Sequence, residues 1–180
     1  MAKKVILKLA DAQDYIDVSD NFTTERFERF ATRAQETPLR ELLGDAIYYL
    51  LYNDLNEDGV PQTEPYIKLV NGETYDYDGD TVQYFGLKPF LSFNWGAVNT
   101  REGDNFASDY GNIYFDDNPQ DNMRKLSQGS LDRLNSSYMK EVTSYRNNIV
   151  QYLNDNETDF PTWDGRIENK PKSQFNSFTI

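Results

Sequence analysis

The chain has 180 residues, of which 30 are acidic and 18 basic, and its net charge of −12 argues against binding to a nucleic-acid backbone, which requires clustered Lys or Arg. It contains no cysteine and no histidine, which excludes disulfides of its own, thiolate and histidine-dependent catalysis, and zinc sites built on nitrogen or sulfur ligands. Its length fits one domain, and it shows neither a signal-peptide core nor an apolar run of about 20 residues, so we expect a soluble protein that does not enter a membrane.

Three helices are predicted in the N-terminal third. A short first helix has apolar residues at helical spacing: Leu9, Ala12, Tyr15 and Ile16. A second helix, capped by Thr23 or Thr24, places four residues on one face: Phe27, Phe30, Ala31 and Ala34. The third is predicted to begin with Thr37 as N-cap and Pro38 at its first position. Its apolar stripe is the strongest core signal in the chain: Leu39, Leu42, Leu43, Ala46, Ile47, Leu50 and Leu51.

The hydrophobic period changes to two between residues 66 and 85. Tyr75 and Tyr77 alternate with polar residues before Asp78-Gly79, and Val82 and Tyr84 alternate with polar residues after it. Such alternation around Asp-Gly predicts a β-hairpin.

Two further helices are predicted in the C-terminal half. The first begins at Gly86-Leu87-Lys88-Pro89 and is apolar on almost every side, which predicts a buried central position. Residues 101–122 contain glycine and proline without a helical period and predict a long irregular connection. The apolar residues of the fifth helix repeat at three and four: Leu131, Leu134, Tyr138, Val142, Tyr145, Ile149 and Leu153.

These elements predict a mainly α fold, a helical bundle of about five helices with a small β-hairpin and an extended C-terminal arm. Residues 1–159 form the helical domain, with the hairpin at about 66–85, and residues 160–180 form the arm. The arm carries a net charge of +1, whereas residues 1–159 carry −13. The predicted core comprises Leu42, Leu43, Ile47, Leu50, Phe90, Leu91, Leu134, Tyr138 and Val142.

One stretch matches the opening of a calcium-binding loop. Asp54, Asn56 and Asp58 supply oxygen at alternate positions, and Gly59 follows them. The closing bidentate glutamate should fall at position 65, which is Pro65. We therefore favour an acidic, helix-ending turn over a calcium site.

The acids Asp76, Asp78 and Asp80 also alternate. Gly79 is misplaced for a calcium loop, and no acid follows at the closing position. A solvated hairpin tip is favoured, and no metal or cofactor is expected.

Paired carboxylates are the remaining route to an enzyme. Glu41 and Asp45 lie one helical turn apart beside apolar residues, as a glycosidase acid pair would. Such pairs are expected by chance in a chain with 30 acidic residues, and no phosphate-binding or nucleophile motif supports another enzyme class. We expect no enzymatic activity.

Acidic residues concentrate in residues 54–80 and 102–121, where Lys68 is the one basic residue of the two segments. Solubility is one explanation, and a surface that repels a polyanion is the other. In the second interpretation the channel-facing acids are Asp54, Asp58, Asp76, Asp78, Asp80, Asp104, Asp109, Asp116 and Asp117.

Several stretches occur in the order found in a known class of proteins. They are Leu9-Ala10-Asp11-Ala12, Leu42-Leu43-Gly44-Asp45-Ala46, Leu69-Val70-Asn71-Gly72, and Phe85-Gly86-Leu87-Lys88-Pro89, followed by a long helix and Phe160-Pro161. The chain resembles the head-tail connector, or ring, proteins of tailed phages in the version found in crAss-like phages, over about residues 5–163.

The resemblance implies a structural virion protein that forms an oligomeric ring, usually of twelve copies, in the neck between capsid and tail. It joins the portal to adjacent ring or tail proteins and continues the DNA channel, through which DNA passes without specific binding. The implied location is the virion, with assembly in the host cytoplasm. No catalytic residue, cofactor or metal transfers with the resemblance.

The resemblance also implies that arms and loops carry the contacts to the portal and to adjacent rings. The apolar residues of the arm are too widely spaced for a local core, so we expect them to be exposed or mobile in an isolated subunit. The residues predicted to bind the portal or an adjacent ring are Trp163, Ile167, Phe175, Phe178 and Ile180. Two alternatives stay open: a carbohydrate- or receptor-binding virion module and, less favoured, a carboxylate-based glycosidase.

Overall fold

The computed structural model describes residues 3–18, 22–102, 113–114, 124–125 and 128–165. In these ranges the chain is mainly helical and carries one small antiparallel hairpin, which confirms the predicted fold class. The elements are α1 (Leu9–Gln13), α2 (Thr24–Ala34), a π-helical turn (Gln35–Leu39), α3 (Arg40–Asp54), α4 (Glu64–Asn71), β1 (Glu73–Tyr77), β2 (Asp80–Tyr84), α5 (Leu87–Glu102), β3 (Ile113–Tyr114), β4 (Arg124–Lys125) and α6 (Gln128–Asp155). Within the described ranges, no helix is long and apolar enough to cross a membrane.

Helix α2 begins as predicted, but it does not end where the sequence indicates. The hydroxyl of Thr23 accepts a hydrogen bond from the backbone N–H of Arg26, and the predicted apolar face is buried. The chain then passes through the π-helical turn directly into α3, so the predicted helix start at Thr37 and Pro38 is wrong. A proline inside a helix lacks one donor and its ring crowds the carbonyl four residues back, and the wider turn makes room for Pro38.

The real interruption of the third helix lies at Gly44. Its φ of 73° and ψ of 160° fall in a region that is essentially restricted to glycine. The helical phase therefore does not continue across it, and Ile47, Tyr48 and Leu51 are the buried residues of the second half. Leu50 is 47% exposed, so its prediction as a core residue is wrong.

The segment from residue 66 to 71 is helix α4 rather than part of the hairpin. Thr63 is its N-cap and Pro65 lies in its first turn, a helix-start signal that the sequence analysis passed over. The hairpin itself is confirmed, with β1 and β2 pairing antiparallel in a register that places Tyr75 opposite Val82. The predicted hairpin range of 66–85 is corrected to Glu73–Tyr84.

Helix α5 lies at the centre, in contact with α1, α2, α4 and α6. Its residues Leu87, Phe90, Leu91 and Trp95 are buried, as predicted for a helix that is apolar on most sides. The Trp95 ring stacks on Phe27 at 5.0 Å, and its indole N–H donates to the Phe27 carbonyl at 3.1 Å. This contact fixes α5 against α2.

Helix α6 packs along α5 and confirms the long predicted helix. Leu131, Val142 and Ile149 are buried against the bundle. Tyr138 is only half-buried, and Leu134 is 37% exposed, so its prediction as a core residue is wrong.

The N-terminal segment closes the core beside the π-helical turn. The buried Gln35 amide accepts a hydrogen bond from the backbone N–H of Ile6 at 3.0 Å and donates to the Lys4 carbonyl at 3.0 Å. Val5, Ile6 and Leu7 are buried beside it. The predicted irregular connection over 101–122 lies almost wholly outside the described residues, apart from the end of α5 and Ile113–Tyr114, which pairs with Arg124–Lys125.

Candidate functional site

Asp54, the last residue of α3, ties the end of that helix to the start of α4. Its carboxylate oxygen Oδ2 accepts hydrogen bonds from the backbone N–H groups of Gln62 at 2.8 Å and Thr63 at 3.1 Å. Partial burial raises the pKa of the Asp54 carboxyl, but these backbone donors outweigh it and leave the pKa below its ordinary value. Asp54 is thus an ionised, half-buried structural group.

The loop after Asp54 is a turn closed by Asn56. Its side-chain oxygen accepts hydrogen bonds from the backbone N–H groups of Asp58 at 3.0 Å and Val60 at 2.9 Å. Gly59 has a φ of 77°, and a Cβ there would lie 2.1 Å from the carbonyl oxygen of Val5. One carboxylate oxygen of Asp54 and the side-chain oxygen of Asn56 are therefore bonded to backbone donors, and the described ranges hold no group of three or more acidic residues placed to bind a metal.

The hairpin presents its acids at an exposed two-residue turn. Asp78 and Gly79 have φ values of 54° and 90°, as a tight hairpin turn requires. Asp76 accepts a hydrogen bond from the Thr81 hydroxyl at 3.1 Å, and Asp76, Asp78 and Asp80 are all exposed. We call these three residues the acidic tip.

Tyrosine hydroxyls hold the base of the hairpin against α6. Tyr75 donates to Asp155 Oδ2 at 2.7 Å, and Tyr152 donates to Glu73 Oε1 at 2.7 Å. Lys68 forms an ion pair with the other oxygen of Glu73 at 3.1 Å. Two hydrogen bonds therefore join β1 to α6, which is distant in sequence.

Stacking and backbone hydrogen bonds reinforce the same contact. The rings of Tyr84 and Tyr152 stack with centroids 3.8 Å apart and planes 5° apart. The amide of Asn148 accepts from the backbone N–H of Phe85 at 3.1 Å and donates to the carbonyl of Gln83 at 3.0 Å. The hairpin that carries the acidic tip is therefore held in place by α6. An isolated two-stranded hairpin would be only marginally stable.

We expect the free energy of unfolding to fall as the pH rises above 10.0, the ordinary pKa of tyrosine. Desolvation, together with the carboxylates of Asp155 and Glu73, raises the pKa of Tyr75 and Tyr152 well above that value. Above pH 10.0 the tyrosines of the unfolded chain lose protons that the folded chain keeps. The stabilisation that these two hydroxyls contribute is therefore complete below pH 10.0 and declines as the pH rises to their folded pKa values. Urea unfolding at about pH 8 and about pH 11 measures the decline.

Tyr75→Phe should reduce this pH dependence and, below pH 10.0, lower stability by about 1.5 to 3 kcal/mol, since a hydrogen bond to a charged group is lost. Tyr77→Phe is the matched control, because Tyr77 lies on the same strand and is 47% exposed. Equal pH dependence in both variants would contradict the role of the hydroxyl bond.

The carboxylate pair Glu41 and Asp45 lies at a cleft beside the Gly44 break. Arg40 Nε pairs with Asp45 Oδ1 at 2.7 Å, and this hydrogen bond holds the pKa of the Asp45 carboxyl below its usual range. A glycosidase general acid needs a raised pKa. The geometry gives the glycosidase hypothesis no support. The cleft has a volume of about 450 Å³ and is lined by Glu36, Thr37, Arg40, Glu41, Leu42, Gly44, Asp45, Arg146, Trp163 and Asp164.

The beginning of the predicted arm packs on its own subunit. Phe160 is buried against the rings of Tyr66 and Tyr152, with centroids 6.2 and 6.0 Å away. The indole N–H of Trp163 donates to Asn154 Oδ1 at 2.7 Å, and its ring is half-buried. The prediction that these two side chains are exposed or mobile is wrong, because the chain turns back after α6 and brings them onto the bundle.

Of the acids predicted to face a channel, Asp58 and the acidic tip are exposed, whereas Asp54 is half-buried. Asp54 ends α3 and Asp58 lies in the loop that follows it, and the acidic tip belongs to the hairpin. The remaining predicted site residues lie outside the described ranges: Asp104, Asp109, Asp116, Asp117, Ile167, Phe175, Phe178 and Ile180.

The polar contacts that position the hairpin have no signal in the local sequence. Glu73, Asp155 and Asn148 are ordinary polar residues of a strand and a helix, and nothing local marks them as partners of residues more than 60 positions away. The tyrosines were noticed for their alternation, but their bonding partners depend on how α6 docks.

The chain belongs to a family of unknown function, DUF6712, whose sequence pattern matches residues 39–97 and 110–173. The first matched stretch runs from the end of the π-helical turn through α3, α4 and the hairpin into α5, and the second covers α6. No curated protein and no solved structure matches the chain significantly.

Proposed function

We propose that this protein is a structural virion subunit that forms an oligomeric ring in the phage neck, between the portal and the tail. The proposal starts from the resemblance to phage connector proteins and assigns the subunit no catalysis and no cofactor. The ring of about twelve copies continues the DNA channel, and its partners are the portal and the adjacent ring or tail proteins. The subunit assembles in the host cytoplasm and ends in the virion.

The observation that carries the proposal is the fixed presentation of the acidic tip. Three exposed carboxylates lie in or beside the turn of a hairpin that is bonded to α6 through Tyr75 and Tyr152. Fixed negative charges along a channel prevent DNA from binding to its wall, because the phosphates find no cations with which to exchange their counterions. The helical bundle behind them supplies a rigid wall.

Negative-stain microscopy of the purified protein mixed with the portal tests the proposal. We expect rings with a central opening that add to one end of the portal. A monomer that binds neither the portal nor itself, but binds glycans on an array, would contradict the proposal and favour the receptor-binding alternative. Turnover of a cell-wall glycan would favour the glycosidase.

Neutralising the acidic tip should impair DNA passage without unfolding the subunit. The variant Asp76→Asn, Asp78→Asn, Asp80→Asn keeps the oxygen that Thr81 contacts and suits the positive φ at position 78, since asparagine tolerates that conformation. We expect its free energy of unfolding to stay within about 0.5 kcal/mol of the wild type. DNA ejection from particles that carry it should be slower and more sensitive to salt.

The matched control removes exposed acids from another element, as in Glu25→Gln of α2. Its ejection rate should equal that of the wild type. An assembled ring with the acidic tip on its outer rim, or equal ejection by all variants, would leave solubility as the role of these acids.

A further inference from the structure

A row of partly exposed aromatic side chains runs along the junction of α5 and α6. Phe93 of α5 lies between Tyr138 and Tyr145 of α6, with ring centroids 6.1 and 5.7 Å away. Phe85 meets Tyr145 edge-on at 5.8 Å. Tyr15 lies two residues after α1, and besides desolvation the charge of Tyr145 raises the pKa of its hydroxyl. We call these five residues the aromatic strip.

The aromatic strip is a surface rather than a set of core residues. Phe85 is 51% exposed and Tyr15 is 38% exposed, while Phe93, Tyr138 and Tyr145 are half-buried. Isolated exposed apolar residues are common on soluble proteins, but a row of contacting rings such as Phe85, Tyr145, Phe93 and Tyr138 is typical of a binding surface.

Carboxylates surround the aromatic strip. Besides desolvation, Asp14 and Asp11 raise the pKa of the Tyr15 hydroxyl, Asp17 raises that of Tyr138, and Glu141 raises that of Tyr145. Asp11 is paired with Lys88 at 2.8 Å, while Asp14, Asp17 and Glu141 are exposed. The strip therefore suits an occupant that combines aromatic side chains with positive charge.

The chain carries such a segment outside the described ranges. Residues 166–180 contain Arg166, Lys170 and Lys172 against Glu168, a net charge of +2, followed by Phe175, Phe178 and Ile180. The basic residues of this segment complement the carboxylates beside the aromatic strip, and its aromatic residues complement the rings of the strip. Fifteen residues span up to about 50 Å when extended.

The chain that leads into residues 166–180 lies on one face of α6, and the aromatic strip lies on another. Trp163 and Asp164 line the same cleft as Arg146. At about 100° per residue, Tyr138 and Tyr145 are turned by roughly 80 to 100° from Arg146 around the helix axis. A donor segment on one face and an acceptor on another make a head-to-tail contact, which is the kind that closes into rings.

We propose that residues 166–180 of one copy dock on the aromatic strip of a neighbouring copy. This inference rests on the proposed function for its choice of a neighbour over the same subunit. Phe175 and Phe178 contact the rings, and the basic residues lie over the acidic rim.

The test is a photo-crosslink in the full-length chain. Phe178 is replaced by p-benzoylphenylalanine, which keeps an aromatic ring, and unlabelled and ¹⁵N-labelled protein are mixed in equal amounts before illumination. We expect crosslinked peptides that contain Tyr15, Phe85 or Tyr145, with heavy–light links as frequent as same-isotope links. Same-isotope links alone would show docking on the same subunit and overturn the proposal, as would links to another surface.

Two sets of variants examine the chemistry of the contact. Phe85→Ser should lower the yield at the strip about tenfold, as loss of a central aromatic contact does, while Tyr49→Ser, at a similarly exposed ring, should not. The double variant Asp14→Lys, Asp17→Lys should also lower the crosslink yield at the strip. Adding Lys170→Glu and Lys172→Glu to that variant should restore the yield. Circular dichroism checks that each variant is folded, and an unchanged yield in folded Phe85→Ser contradicts the proposal.

The microscopy tests the proposed function, and the crosslink tests this inference, so either result can be negative without the other. Heavy–light links at the strip without any ring or portal binding would contradict the proposed function alone. Rings whose links map elsewhere would contradict this inference alone.

Discussion

The Gly86→Ala variant is expected to lose about 2 to 5 kcal/mol of unfolding free energy. Gly86 lies between β2 and α5 with a φ of 83°, and a Cβ there would lie 2.5 Å from the carbonyl oxygen of Val70. Gly72, before β1, is equally close to the backbone of Tyr84. The two ends of the hairpin therefore touch through their backbones, and no side chain can yield to make room.

The matched control is Gly79→Ala at the acidic tip. Gly79 also has a positive φ of 90°, but nothing lies within 4 Å of its added Cβ. Its loss should be limited to the conformational cost, about 1 to 2 kcal/mol. Urea unfolding of both variants measures the difference, and equal losses would show that the close approach at Gly86 contributes nothing.

The second large effect is expected for Leu43→Ala, which should cost about 2 to 5 kcal/mol. Leu43 is 2% exposed and lies just before the Gly44 break, where its removal leaves a cavity in the core. Leu50→Ala is the control, because Leu50 belongs to the same helix and is 47% exposed. Its effect should stay within about 0.5 kcal/mol. Denaturation midpoints that coincide for the two variants would contradict this description of α3.

Leu50 also shows where sequence periodicity stops being informative. Leu42, Leu43, Ile47 and Leu50 share one face of a continuous helix, and three of the four are buried. Gly44 interrupts the helix, so the residues after it take a new phase that the pattern before it cannot predict. A glycine inside an apolar helical pattern is tolerated in many helices, so the presence of glycine at position 44 does not by itself predict a break.

Most of the element types were predictable because each has a local cause. The cap at Thr23, the Asp78-Gly79 turn and the all-round apolar character of α5 act over a few residues. Helix α4 was predictable as well, from Thr63 and Pro65, but the predicted hairpin range of 66–85 includes Tyr66 and the rest of this helix. Where a helix adjoins a strand, the helix-start signal and the strand alternation predict different structures for the same residues.

The candidate surfaces depend on contacts that are distant in sequence. The exposed acids of the tip follow from the hairpin pattern, but the bonds from Tyr75 and Tyr152 to carboxylates depend on the docking of α6. The aromatic strip likewise combines residues of α5 and α6 with one residue that follows α1 and one that follows the hairpin. No window of the sequence contains it.

The tyrosine bonds at the base of the hairpin have a consequence for the electric field of the subunit. A lysine in the place of Tyr75 would also satisfy Asp155, but it would cancel the carboxylate charge. A phenol donates a proton to the hydrogen bond and adds no charge at neutral pH. The bond therefore fixes the hairpin without placing a positive charge beside Asp155, so attachment of the tip to α6 does not reduce the negative potential that the tip projects into solvent.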